Sequence, residues 1–205
     1  LHARWAEISL FDRYYEGDQR VAYISEKLRQ TFPQFRDLKD NYMRLVVDAP
    51  AERLRVQGFR FGDDADDKAW EIWQSNSHDA QANMVHTEAI KLREAYWLVQ
   101  PEGKGEIPRI TAEHPSQVIV ACDPSDRRKR LAGFKEYQDE DGYVYANVYL
   151  PDRYFRYRTR APLNRVYYEV DFDKKWETIG AGSNPLGVVP VIPMPNNPSM
   201  LKGGQ

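Results

Sequence analysis

A chain of 205 residues, 41% apolar and 13% aromatic, is long enough for one domain or two small ones and can bury a real core. Its 29% charged residues and mean hydropathy of −0.73 require a large polar surface, while the apolar content excludes disorder over most of the length. A net charge of −2 gives no global reason to expect nucleic acid, and the single cysteine excludes an internal disulfide or a multi-cysteine metal site.

The predicted elements begin with a short helical pattern from Trp5 to Leu10, leading into Tyr14-Tyr15-Glu16-Gly17-Asp18, where Gly17 supplies a turn or helix stop. A second helical pattern covers Lys39 to Leu54. Tyr42, Leu45, Val46 and Ala49 follow the spacing of one buried face, and Pro50 marks a kink or boundary. Arg55 to Phe61 then reads as a short strand ended by Gly62. Asp63, Asp64, Asp66 and Asp67 precede Ala69, Trp70, Ile72 and Trp73, as expected of carboxylates at the positive end of a helix dipole. The clearest helix is His78 to Arg93, with Ala82, Val85, Ala89 and Leu92 on one face, and it passes directly into the strand Ala95 to Val99.

Strand patterns follow at Ile107–Thr111, Gln117–Cys122, Leu131–Tyr137, Tyr143–Leu150, Tyr154–Thr159 and Val166–Phe172. Asp141-Gly142 is a hairpin signal, with both central turn positions expected at positive φ. Asn184 to Pro193 closes the β-rich region as an edge strand or extended arm, because prolines cannot donate to a ladder on both sides. Helices first and strands later predict an α+β fold with a largely antiparallel meander.

No run approaches the roughly 20 apolar residues of a membrane helix, and no basic-then-apolar segment opens the chain, so a non-secreted protein without a membrane partner is expected. Leu1 and the polar, glycine-bearing tail from Ser199 to Gln205 suggest part of a longer product.

Chemistry has little foothold. The four histidines lie apart, and His78 and His86 would sit about 12 Å apart along one helix, too far to share an ion. The acidic cluster at Asp63 to Asp67 lacks the glycine and distant glutamate of a calcium loop. Gly180, Gly182 and Gly187 are followed by a proline-bearing strand where a phosphate loop needs a helix, and no Gly-Xaa-Ser-Xaa-Gly elbow occurs. Catalytic, metal and cofactor sites are therefore not expected. Cys122, in the apolar run from Val118, reads as a buried structural thiol.

Two basic groups remain. Arg127, Arg128, Lys129 and Arg130 form either a solvated, salt-bridging loop or a phosphate contact. Arg156, Arg158 and Arg160 alternate, so in a strand they share one face, opposite Phe155, Tyr157 and Thr159. Such a row suits carboxylates on a neighbouring subunit as well as phosphates. Trp70, Trp73 and Tyr154 are further interface candidates, with core packing the stronger reading for the tryptophans.

The order of the motifs carries more than any one of them. Tyr14-Tyr15-Glu16-Gly17-Asp18 is followed by Asn41-Tyr42-Met43-Arg44-Leu45-Val46-Val47-Asp48, Leu54-Arg55-Val56-Gln57-Gly58-Phe59 and Trp70-Glu71-Ile72-Trp73-Gln74-Ser75-Asn76. His86-Thr87-Glu88-Ala89, Ala95-Tyr96-Trp97, Leu150-Pro151-Asp152 and Asn184-Pro185-Leu186-Gly187-Val188-Val189-Pro190 complete the series. In this order they resemble the N-terminal part of tailed-bacteriophage portal proteins, of the branch found in long-tailed siphophages.

The resemblance implies a non-enzymatic structural subunit of a homo-oligomeric ring of about twelve copies at one capsid vertex. Double-stranded DNA would pass through that ring during packaging and ejection. The implied partners are the terminase, the major capsid or scaffold protein and a head-tail adaptor, and the implied location is the virion, with assembly in the host cytoplasm. Residues 1–98 would form the mainly helical part of the wing, 99–193 its antiparallel β-rich part, and 194–205 a linker toward the stem. Stem and crown helices, which line the channel in that family, are absent from this stretch, so direct DNA contact is not expected of it. The alternative from the residues alone is a stand-alone nucleic-acid-binding module using the arginine-rich segments.

Overall fold

A computed structural model describes residues 1–18, 41–103, 105–163 and 176–196. The expected strand at 166–172 and the start of the expected second helix, at Lys39, lie outside them. A 3₁₀ turn, His2–Arg4, leads into α1, Trp5–Tyr15; α2 is Tyr42–Ala51, α3 Asp67–Ser75 and α4 His78–Leu92. The strands are β1 Arg60–Phe61, β2 Asp64–Ala65, β3 Glu94–Gln100, β4 Arg109–Glu113 and β5 Val118–Cys122. They continue as β6 Arg130–Gln138, β7 Val144–Tyr149, β8 Arg153–Thr159, β9 Trp176–Ser183 and β10 Val191–Pro195.

The fold is α+β, helices first and antiparallel sheets after. Strands β5 to β9 form a five-stranded meander in chain order, and β10 returns to pair with β3 in a second sheet ordered β10-β3-β4. As the prolines require, β10 is an edge strand: Pro193 and Pro195 lie in it, opposite Tyr96 and Glu94. It is no free arm, however, because Val189 and Val191 are fully buried.

β3 is the centre of the molecule, and its alternation divides two cores. Tyr96 and Leu98 point to one side, where they pack with Val189, Val191 and the Val118 and Tyr149 side chains of the five-stranded sheet. Ala95 and Trp97 point to the other, against Val85 and Ala89 of α4. The three-stranded sheet therefore lies between a helical layer and the five-stranded sheet. Each fully buried aliphatic residue here contributes about 1.5–3 kcal/mol, so β3 is the costliest strand to disturb.

Local sequence explains the junctions. Asn41 caps α2, accepting a hydrogen bond from the Arg44 N–H at 3.1 Å and donating to the Tyr15 carbonyl at 2.7 Å, which ties α2 to the end of α1. Asp66 caps α3 by accepting from the Ala69 N–H at 3.0 Å. The expected role of the acidic run thus falls to Asp66 and to Asp67 in the first turn, while Asp64 belongs to β2. The α4 face is as expected: Ala82, Val85, Ala89 and Leu92 are buried, joined by His78.

Four expectations are corrected. The α2 face of Tyr42, Leu45 and Val46 is exposed by 61–68%, and the helix buries Val47 and Ala51 instead, because α1 and α4 contact it from the other side. The strand expected over Arg55–Phe61 shrinks to Arg60–Phe61, paired with Asp64–Ala65 in a two-residue hairpin around Gly62. In the β6–β7 turn only Gly142 has positive φ, at 89°. The Asp139 N–H bonds to the Tyr143 carbonyl and the Gly142 N–H to the Asp139 carbonyl, so the loop is a longer turn closed by glycine, not a two-residue one. Cys122 is half-buried, beside the β5–β6 register shift, where the expectation was a buried thiol. No helix among the described residues is long and apolar enough to cross a membrane.

Candidate functional site

The arginine row lies on β8 as the alternation requires. Tyr154, Arg156 and Arg158 stand opposite Tyr149, Asn147 and Tyr145 of β7 on one face, while Thr159, on the other, is fully buried with its hydroxyl accepting from the Val144 N–H. Tyr154 reaches the inter-sheet core and is therefore a packing residue. Further along the strands, past that core, the same face is polar and aromatic. Tyr137 and Tyr145 stack at 5.1 Å, the Lys135 ammonium lies 5.5 Å over the Tyr137 ring, and the Arg158 guanidinium lies 5.1 Å over the Tyr143 ring.

Charge on this face is only partly compensated. Both Arg158 Nε and an Arg158 terminal nitrogen donate to Glu177 Oε1 of β9, and that carboxylate together with Tyr145 raises the guanidinium pKa. Lys135 is 2.6 Å from the buried Glu113 of β4. Arg153 pairs with its neighbour Asp152 at 2.7 Å. Arg156 and Arg160 are exposed, and among the described residues neither has an ion-pair partner. Asn147, 7% exposed, donates to the Tyr149 hydroxyl at 3.3 Å, and its Oδ1 is left without a partner beside Arg156.

The second basic group behaves differently. Arg128 is held by Asp126 at 3.0 Å and Lys129 by Asp123 at 3.5 Å within the same β5–β6 loop. Hydrogen bonds from the Ser125 hydroxyl and N–H lower the Asp123 carboxyl to about 2. Arg127 is exposed and Arg130 opens β6; neither has an ion pair among the described residues. The loop thus compensates only part of its own charge, pairing Arg128 and Lys129 but not Arg127 or Arg130 among the described residues, and the structure does not bring it together with the β8 row.

A third cluster was invisible in the sequence because its members are far apart there. Asp12 of α1, Glu88 of α4 and His114 after β4 place ligand atoms within 4.8 Å of one another, as a metal site would. The Lys91 ammonium, however, lies 2.9 Å from both Asp12 Oδ1 and Glu88 Oε1 and fills the place of a cation. His114 Nδ1 accepts from the Ser116 N–H, which leaves the ring proton of the neutral form on Nε2, 3.2 Å from Glu88 Oε2. Burial raises the Glu88 pKa, but the bonds to His114 and Lys91 outweigh it and leave it lowered. This is an ion-pair network that ties α1 and β4 to α4, and it offers no open position for chemistry.

Among the described residues the most exposed large apolar side chain is Phe61, at 87%, in the β1–β2 hairpin. The hairpin is braced by Arg60 donating to the Asp63 carbonyl at 3.1 Å and is rooted by Phe59 against Trp70 and Trp73 of α3 at 6.2 and 5.5 Å. Both tryptophans are half-buried by that packing. The hairpin carries Asp63 and Asp64, both exposed and without an ion pair among the described residues. Gly62 between Phe61 and the aspartates was the one signal for it in the sequence.

Among the described residues no nucleophile, base and oxyanion site is assembled. Comparison with known proteins places the chain in a family. The family model described as "Phage portal protein, SPP1 Gp6-like" matches residues 2–202. The chain is 31% identical over 198 residues to the portal protein of Mycobacterium phage D29 and 29% identical over 194 residues to that of Mycobacterium phage L5. In each case the match covers 89% of this chain and 37% of the relative, so the chain spans little more than a third of the length of these proteins. With the family model matched along almost the whole chain, and the helix-then-sheet order carrying its motifs, this chain belongs to the phage portal protein family, SPP1 Gp6-like.

Proposed function

We propose that this chain is the wing portion of a portal subunit, a structural element and not an enzyme, which works through contacts between copies in a ring of about twelve at a capsid vertex. The observation that carries the reading is the family match from residue 2 to residue 202. The absence of an assembled catalytic group among the described residues and the presence of exposed arginines and aromatics support it. Residues 1–98 are the mainly helical part of the wing, residues 99–193 the β-rich part, and the segment after them leads toward the stem. In the full-length protein the ring is the conduit for double-stranded DNA during packaging and ejection and the platform for the terminase, capsid or scaffold protein and head-tail adaptor, within the virion.

Negative-stain imaging of the full-length protein tests this directly. Ring-shaped end-on views are expected; monomers or dimers alone under assembly conditions would overturn the reading. The alternative of a stand-alone nucleic-acid module is weakened by the pairing of Arg128, Lys129, Arg153 and Arg158 with carboxylates of the same chain. Affinity of this chain for duplex DNA should accordingly be weak and nearly flat with salt, whereas a slope of several units in log K against log salt would favour the module.

A further inference from the structure

The β1–β2 hairpin and the β8 row share one property: each carries an exposed charge that has no ion-pair partner among the described residues. The hairpin presents Phe61, 87% exposed, with the carboxylates of Asp63 and Asp64 beside it. The β8 face presents the exposed guanidinium of Arg156, without an ion pair among the described residues, next to Arg158 and the half-buried stacked rings of Tyr137 and Tyr145. Asn147 adds a buried acceptor, Oδ1, that has no partner on that face.

We propose that the hairpin of one copy docks on the β8 face of the next, with Phe61 against the Tyr137–Tyr145 pair and Asp63 or Asp64 against Arg156. The occupant is a second copy of this chain because the two surfaces are complementary in both respects: an apolar aromatic flanked by carboxylates meets aromatics flanked by guanidinium groups. They also stand on different layers, the hairpin on the helical layer through Phe59, Trp70 and Trp73, the row on the five-stranded sheet, with the three-stranded sheet between. One copy can therefore use both at once, on two different neighbours. That is a heterologous contact, the kind that closes into a ring when the rotation between copies is right. The inference rests on the portal-ring reading and names the contact that reading leaves open.

Charge reversal in the full-length protein tests it, with ring formation read by native mass spectrometry and far-UV circular dichroism read on each variant. Asp63→Lys/Asp64→Lys and Arg156→Glu alter exposed side chains, so the fold should be kept while the ring yield at fixed concentration falls about tenfold or more. Combining the substitutions restores opposite charge and should recover most of the ring. Phe61→Ala should weaken assembly without changing its salt dependence. Reversals that assemble like the wild type, or a folded combined variant that fails to recover, would overturn the contact. A wild-type protein that forms no ring would overturn the portal-ring reading beneath it, which is a different outcome.

Discussion

At the scale of single residues, His78 is the group most out of place. It is fully buried, both ring nitrogens lack a hydrogen-bond partner, and it is wedged 4.9 Å from Trp73 and 4.5 Å from Trp97. Burial lowers its pKa from the ordinary value, with only the neighbouring Asp79 opposing. The folded state therefore holds the proton less tightly than the unfolded chain. The stability this contributes is complete above the unfolded value of about 6.5 and is lost as the pH falls from there through the folded-state pKa. His78→Phe keeps a ring in the gap and removes both orphaned nitrogens. Its melting temperature at pH 8 should be no lower than that of the wild type, and the loss between pH 6.5 and pH 5 should be shallower; equal slopes in thermal melts across that range would refute the assignment. In the sequence His78 was only one of four scattered histidines. Its burial follows from the register of α4, which the Ala82, Val85, Ala89 and Leu92 spacing does predict, one turn further back.

At the scale of elements, what could be read in advance was whatever depends on neighbours within a few residues. α4 and the meander strands depend on periodicity, and the edge position of β10 on proline chemistry. What failed needed distant partners. The α2 stripe of Tyr42, Leu45 and Val46 has the spacing of a buried face, but the partners of α2 are set by Tyr15, whose hydroxyl bonds Asp48 at 2.8 Å, and by α4, so Val47 and Ala51 turn inward. β9 went unrecognised because its two glycines lower strand propensity, and Gly182 instead suits the close approach of the Tyr154 ring from β8. Asn76 shows how one polar residue joins two elements that sequence distance hides. Its Nδ2 donates to the Ile72 carbonyl at 2.8 Å, closing α3, and to the Pro108 carbonyl at 3.0 Å, while Oδ1 accepts from the Ile110 N–H at 2.8 Å at the start of β4. Asn76→Ala breaks all three and should cost about 2–3 kcal/mol in chemical denaturation. Asn76→Asp keeps the acceptor but loses both donated bonds, so it should fall between alanine and wild type; an alanine variant within about 0.5 kcal/mol of wild type would mean that the α3–β4 tie contributes nothing.

At the scale of the whole molecule, the segment from Asn184 to Pro193 is what makes two sheets into one body. Asn184 donates to the Leu150 and Val188 carbonyls at 2.9 and 2.8 Å, which turns the chain back from the meander, and Val189 and Val191 then enter the core between the sheets. The five-stranded sheet admits them at Gly133, where a Cβ would stand 2.7 Å from Val191 Cγ2 and 3.2 Å from Val189 Cγ1. Neither valine can swing clear, because both are fully buried and branched at Cβ. Gly133→Ala should therefore force the sheets apart at a cost of about 1–3 kcal/mol, a drop of about 2 to 12 °C in melting temperature for a chain of this size. Gly180→Ala is the matched control, since a Cβ there meets only the Arg156 side chain at 3.9 Å, an ordinary contact, and it should change stability little. The proposed contacts sit on either side of this junction, so an overpacked junction should also misplace β8 relative to the β1–β2 hairpin. Ring yield of the full-length Gly133→Ala protein should then fall even below its melting temperature, while Gly180→Ala assembles normally. If the two variants melt and assemble alike, the inter-sheet core does not hold the two surfaces in register.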